Sequence, residues 1–215
     1  MRRILFLGCL LPVLVLSAAA KGERPYAGLI IQSGPREEHT LAMLEGLYDR
    51  GIRGTFLLRG SEAEQMPQAL ARILEEGHEI GCRGYTGKNM VYMSRRAIAE
   101  ELIRFQDLLP EGYPLRLFTP PGGCGDGVLQ VARARRLGIL SWAADLSAAP
   151  EAVRDGDLLL LCDLDPLAVE ESLSMVDALT DLGFRLIPVS ELAKLRQAKI
   201  RPGEIYSRFP ASTDK

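Results

Sequence analysis

The sequence predicts an α/β fold built on a parallel sheet, and three observations carry that reading. Short apolar runs at 27–32, 53–58, 79–83, 115–119, 139–145, 157–162 and 184–188 alternate with segments of helical period. Most of the helical segments stop at a glycine, the residue that best ends a helix. The stretch "DLLLLCDLD", Asp157–Asp165, is apolar at successive positions, as a strand covered on both faces requires. Strands separated by helices pair in parallel, in an open doubly wound sheet or in a (β/α) barrel. Both place function at the C-terminal strand ends.

The elements follow in order. After the run 27–32 the chain turns at Gly34-Pro35. Leu41, Leu44, Leu47 and Tyr48 then mark a helix over Thr40–Arg50, ended by Gly51. Beyond the second run, Leu70, Ile73 and Leu74 define a helix over Pro67–Glu76, ended by Gly77. Ser94 is a good N-cap for a helix carrying Ile98, Leu102, Phe105 and Leu109. The glycine-rich "TPPGGCGDG", Thr119–Gly127, contains two prolines that do not suit a phosphate-cradling turn, and no GxGxxG or GxxxxGK[ST] occurs, so no nucleotide cofactor is expected. Helices over Gly127–Leu137 and Leu167–Leu182 follow. Ser190 is expected to cap a last helix to about Lys199, with 201–215 as a tail.

A chain of 215 residues is long enough for one domain with a sizeable core, and its net charge of −2 gives no basic excess for nucleic acid. The first residues differ from the rest. Arg2 and Arg3 precede the apolar run Ile4–Leu16 and then Ser17, Ala18, Ala19 and Ala20, the pattern of a secretory signal. An uncleaved anchor is the rival reading, at the short limit for crossing a bilayer. The expected organisation is a signal or anchor at 1–20, a linker at 21–26, one domain at 27–200 and a tail at 201–215. The expected location is outside the cytoplasm, in the envelope, the periplasm or the medium, with membrane contact only through an uncleaved N-terminus.

Six segments, in order and with matching spacing, give a more specific reading. They are "IIQSGP" at Ile30–Pro35, "GIRGTFLLRG" at Gly51–Gly60, "EGHEIGCRGYTGKNM" at Glu76–Met90, "LFTPPGG" at Leu117–Gly123, "ILSWAADLS" with "GDLLLLCD", and "ALTDLGFRLIPVSEL" at Ala178–Leu192. Together, from Ala27 to Leu195, they resemble the NodB-homology polysaccharide deacetylases, carbohydrate esterase family 4. The resemblance implies an irregular (β/α)7 TIM-like barrel. It also implies an activity, the metal-dependent removal of acetyl groups from N-acetylated sugars. A divalent ion such as zinc lowers the pKa of its bound water from about 16 towards about 7, which supplies the nucleophile.

Carried over residue by residue, the family's chemistry is replaced. The base aspartate falls on Gln32 and the ligand aspartate on Ser33. The two ligand histidines fall on Arg83 and Gly87, and the acid histidine on Cys162. The arginine of RxPxG falls on Thr119, and its partner aspartate near Ala148. Gln32 cannot take up a proton usefully, Gly87 offers no ligand, and a cation at 83 repels a dication. Arginine and partner are lost together, so no buried charge is stranded. No cofactor is therefore expected.

The remaining candidates are weighed residue type by residue type. His39 and His78 are the only histidines; His78 reads best as a strand-start histidine hydrogen-bonded to backbone, and His39 as a solvent-exposed or capping residue at the first helix, with catalysis the lesser alternative for His39. Cys82, Cys124 and Cys162 all fall in motif segments. They read as apolar fillers, a disulfide, a soft-metal site or a thiol nucleophile beside Arg83. Asp126, Asp145 and Asp163 are rim acids that suit caps or a ligand contact. Tyr85, Tyr92 and Trp142 are candidate platforms for a pyranose ring, with Trp142 reading equally well as a core residue. The candidate ligand groove is Gln32, Ser33, Arg83, Tyr85, Thr119, Asp145, Cys162 and Asp163. The expected function is a catalytically inactive deacetylase-like protein that binds an envelope glycan or a protein partner. The alternatives are a hydrolase with cysteine- or aspartate-based chemistry and a structural envelope protein.

Overall fold

The computed structural model describes residues 24–34 and 36–211. The expected signal or anchor at 1–20 and the proline of the Gly34-Pro35 turn lie outside the described residues. Nine strands form one parallel sheet: β1 Tyr26–Gln32, β2 Thr55–Leu58, β3 Glu79–Cys82, β4 Leu117–Phe118, β5 Gly138–Leu140, β6 Ala144–Asp145, β7 Leu158–Cys162, β8 Arg185–Ile187 and β9 Ile205–Tyr206. Their order is β6-β7-β1-β2-β3-β4-β5-β9, with β8 on β1. β1 lies at the centre. β7 runs along one edge of it, while β8 and β2 share the other, against its first and last residues respectively. This sheet curls with helices on its outer face, the incomplete barrel that the sequence predicts.

Alternation along the strands gives the sheet two apolar faces. Leu29, Ile31, Phe56 and Leu58 face outward into the larger apolar core with Met43, Leu44 and Leu47 of α1, Glu37–Asp49. Ile30, Leu57, Leu117, Leu140 and Leu158 face inward to a smaller cluster. Val189 and Leu192 of α7, Val189–Leu195, and Phe209 close that inner cluster. β1 comes close to its neighbours at Gly28, where a Cβ would stand 2.5 Å from a Leu158 methyl and 3.2 Å from one of Leu192.

The remaining helices are α2 Gly60–Ala63, α3 Pro67–Glu75, α4 Arg95–Gln106, α5 Asp126–Ala134 and α6 Pro166–Asp181. Ser94 caps α4 by accepting from the Ala97 N–H, and Asp165 caps α6 by accepting from Ala168. Other helix starts are capped from elsewhere in the fold. Glu37 Oε1 accepts from the backbone N–H groups of Gln68 and Ala69 at the start of α3. Ser190 is not the cap of α7. That helix starts after Pro188, with Thr55 Oγ1 accepting from Val189 N–H and Glu79 Oε2 from Ser190 N–H.

Two further expectations are corrected. The single run 139–145 divides into β5, which pairs β4 and β9, and β6, which pairs β7. The segment read as a tail folds back onto the sheet. β9 pairs β5, Ser207 carbonyl accepts from Leu158 N–H, Arg208 bridges Asp157, and Phe209 is buried. It therefore joins β5 to the start of β7 and ties the two ends of the curled sheet together.

Candidate functional site

The strand ends gather the motif residues on one rim. Gln32 ends β1 and is in register with Leu57 of β2 and Cys162 of β7. Arg83 leaves β3 with its N–H on the Leu58 carbonyl, and Thr119 leaves β4 with its N–H on the Cys82 carbonyl. Gln32, Arg83 and Thr119 line a cleft of about 420 Å³ together with Pro120, Ser141 and Trp142. Thr119 has spent its hydroxyl on the Leu140 carbonyl, at 3.2 Å. A larger groove of about 540 Å³ lies on the flank between α6 and the 146–150 loop. It contains Ala148 and none of the rim residues named above.

The loop after β3 decides what the rim can hold. Glu101, on α4, is buried and accepts from the backbone N–H groups of Tyr85 and Thr86 at 2.8 and 2.7 Å and from the Thr86 hydroxyl at 2.8 Å. Gly87 takes φ +73°, and a Cβ built on it would stand 2.4 Å from Arg59 Nε and 2.7 Å from Arg59 Cζ. The space that a side chain at 87 would enter is thus filled by the Arg59 guanidinium, which donates to Glu62 Oε1 at 2.7 Å. Arg83 stands nearby, its pKa lowered by burial first and by Arg59 second, with Glu62 opposing.

A divalent cation does not fit this set. The positions that would supply ligands hold a hydroxyl, a guanidinium and a glycine whose side-chain volume a second guanidinium occupies. No three His, Cys, Asp or Glu side chains converge among the described residues. The thiols do not converge either. Cys82 is fully buried, Cys124 is exposed on the cleft rim, Cys162 is half-buried, and all three are free. Burial pushes the Cys82 and Cys162 thiols up, away from a reactive thiolate.

The other candidates have structural partners. His78 Nδ1 accepts from Gly54 N–H at 3.1 Å, and its ring packs edge-on against Phe56. His39 Nδ1 donates to the Leu164 carbonyl at 3.2 Å. Asp145 accepts from the N–H and hydroxyl of Ser147, which hold its carboxyl below the usual range. Tyr85 lies under the Arg104 guanidinium, 3.6 Å from its ring centroid, and its hydroxyl donates to Glu64, so it offers no free face to a sugar. Tyr92 is 87% exposed and away from the cleft, whereas Trp142 lines it at 36% exposure. Asp126 is the first residue of α5.

Asp163 and Ser33 lie beneath the rim, both buried. Gly34 N–H donates to Asp163 Oδ1 at 2.5 Å, while Asp163 Oδ2 and Ser33 Oγ find no partner of good geometry among the described residues. Burial pushes the Asp163 carboxyl above the ordinary carboxylate range, against the lowering pull of nearby Thr40, Gly34 and Ser33. The folded chain therefore holds this proton to higher pH than the unfolded chain does. The resulting stabilisation is present below the ordinary aspartate range and is lost as pH rises through the raised value. Urea titrations are expected to show wild-type stability falling relative to Asp163→Asn in that window, by up to about 1.4 kcal/mol per pH unit. A difference that is flat or rises with pH contradicts this assignment.

Arg59 and Glu101 shape the rim and are positions that sequence reasoning did not single out. Each carries a local signal. Arg59 directly follows the buried strand "TFLL", so it must stand on the rim. Glu101 sits three residues after Ile98 and four before Phe105, on the apolar face of α4 where a carboxylate needs buried partners.

Comparison with known proteins bears on the family and the fold. Residues 19–141 match the family model described as polysaccharide deacetylase. Among curated relatives, the uncharacterized protein YlxY of Bacillus subtilis is 26% identical over 186 residues, covering 79% of this chain and 58% of that protein. The peptidoglycan-N-acetylmuramic acid deacetylase PdaC of Bacillus subtilis is 23% identical over 80% of this chain and 39% of its own length. The chain thus spans about half the length of these relatives. The solved structure of PdaC superposes with a TM-score of 0.74 at 23% identity, over 81% of this chain and 93% of that one. A CE4 family pseudoenzyme from Bacillus anthracis superposes at 0.71 and 21% identity, over 86% and 70%. At these identities the superpositions establish the fold.

Proposed function

Because this chain belongs to the polysaccharide deacetylase family, we propose that it is a catalytically silent member, exported to the cell envelope, that binds an envelope glycan through the cleft at its strand ends. One observation carries the silent reading. The Arg59 guanidinium fills the space above Gly87 and stands near Arg83, and the resemblance puts the ligand histidines at 83 and 87. With no metal held and no base at Gln32, no group is left to make a nucleophile from water, and removing one member of such a set already costs orders of magnitude in rate. The glycan reading is supported by the retained cleft and its half-exposed tryptophan, and by the names of relatives such as PdaC, a peptidoglycan deacetylase.

Acetate release from N-acetylated chitooligosaccharides and peptidoglycan fragments, with added zinc or cobalt, tests the silent reading. The expected rate equals that of the protein-free control. Turnover that a chelator abolishes would overturn it. Co-sedimentation with purified peptidoglycan tests the binding reading, and protein that stays entirely in the supernatant at low salt contradicts it.

A further inference from the structure

Arg83 is a cation with unspent donors facing a cleft. It lines the cleft, half-buried, beside Gln32, Ser141 and Trp142. Among the described residues its guanidinium makes no hydrogen bond and no ion pair, and the nearby carboxylate, Glu62, is engaged by Arg59 at 2.7 Å. A guanidinium has five N–H donors in a planar fork that fits a carboxylate or phosphate with two parallel bonds. Partial burial strips water from it without supplying a counter-ion, which is unfavourable until an anion arrives. Arg59 beside it adds to the positive field and, among the described residues, binds no second carboxylate. Pro120, Pro121, Ile139, Leu140 and Ile205 add apolar wall, and the partly exposed Trp142 also lines the cleft.

We propose that the cleft selects a sugar bearing an oxyanion, a carboxylate or phosphate substituent held by Arg83, with the pyranose ring against Trp142. The proposal rests on the reading that the cleft binds a glycan and names the chemical class of that glycan. The same replacement that removes the metal thus changes what the rim attracts, from the carbonyl of an acetamide on a cation to an anionic substituent on a fixed guanidinium. A cleft of this volume is at the small end of ligand pockets, so one or two sugar rings set the size of the ligand.

Trp142 is the chain's only tryptophan, so its fluorescence reports this cleft alone. The full chain is titrated at low salt with a uronic-acid trisaccharide, a neutral trisaccharide of the same linkage, glucose 6-phosphate and inorganic phosphate. A charged sugar is expected to bind about tenfold or more tighter than the neutral one, with the advantage shrinking as salt is raised. Whichever of the uronate and the sugar phosphate binds more tightly identifies the oxyanion. Arg83→Gln is expected to bring the ratio of charged to neutral affinity down to about one, and Arg83→Lys to keep part of the advantage. Equal affinity for charged and neutral trisaccharides, or an unchanged preference in Arg83→Gln, overturns the proposal and leaves the glycan reading standing. Inorganic phosphate binding as tightly as the sugar phosphate overturns the sugar requirement. Absence of binding by every sugar overturns both readings. Should Arg83→Gln not fold, the charged-to-neutral ratio and its salt dependence in the wild type decide the matter.

Discussion

Zinc titrated calorimetrically into the variant Gln32→Asp, Ser33→Asp, Arg83→His and Gly87→His is expected to give no binding heat, and adding Arg59→Ala is expected to restore it. The four replacements rebuild the family's donor set by position, yet they leave the Arg59 guanidinium in the space of the new histidine, with Nε 2.4 Å from the Cβ position. A unit cation about 4 Å from a dication costs about 8 kcal/mol at an effective dielectric near 20, roughly six powers of ten in affinity. Residue 87 also has φ +73°, so a histidine there carries a left-handed strain of about 1–2 kcal/mol. Removing Arg59 relieves the clash and the repulsion together and leaves Glu62 unpaired near the site. Zinc binding by the fourfold variant, or none in the fivefold variant once its fold is verified, contradicts this account. Acetate release in the fivefold variant is a separate and stricter readout, since catalysis also needs an acid where Cys162 stands.

Glu101→Ala is expected to lower the stability by about 3–4 kcal/mol in urea unfolding, a large effect for a single side chain. The carboxylate accepts three hydrogen bonds from the 85–86 segment and is 6% exposed. Its loss strands two backbone N–H groups and leaves a cavity on the face of α4 that carries Ile98, Leu102 and Phe105. Glu101→Gln keeps one accepting oxygen and the volume, so it is expected to cost about half as much. A loss under about 1 kcal/mol for Glu101→Ala would show that the loop does not depend on this anchor. The two effects are linked through the loop, because Glu101 fixes the segment that places Arg83 and Gly87 on the rim.

Much of the architecture is legible in residue order. The successive apolar residues of "YAGLIIQ" and "LLLLC" give strands covered on both faces, and the two strands pair with each other over five residues inside the sheet. Ser94 has the cap chemistry the sequence assigns to it, because an N-cap bond closes within four residues. α7 shows the opposite case. Its first N–H groups are satisfied by Thr55 and Glu79, more than a hundred residues away, so no local pattern marks its start. The division of 139–145 into β5 and β6 is equally hidden, since each half pairs a different strand and the pairing partners lie far off in sequence. Residues 205–209 read as a tail because two strand residues and one buried phenylalanine make no periodic signal, yet they tie the sheet ends together.

The sequence by itself determined the fold class, the family and the identity of each replaced group, because these depend on residue type and order. It placed Gln32, Ser33, Arg83, Gly87, Thr119 and Cys162 at strand ends where a metal site would be built. Tertiary structure decided which of them share a cleft. Gln32, Arg83 and Thr119 do, while Ser33 lies buried beneath and Tyr85 is covered by Arg104. It also brought in Arg59, from another strand, to fill the volume above Gly87. Charge and shape at a rim are sums over loops far apart in sequence, so only the packed chain shows two guanidiniums meeting in one place.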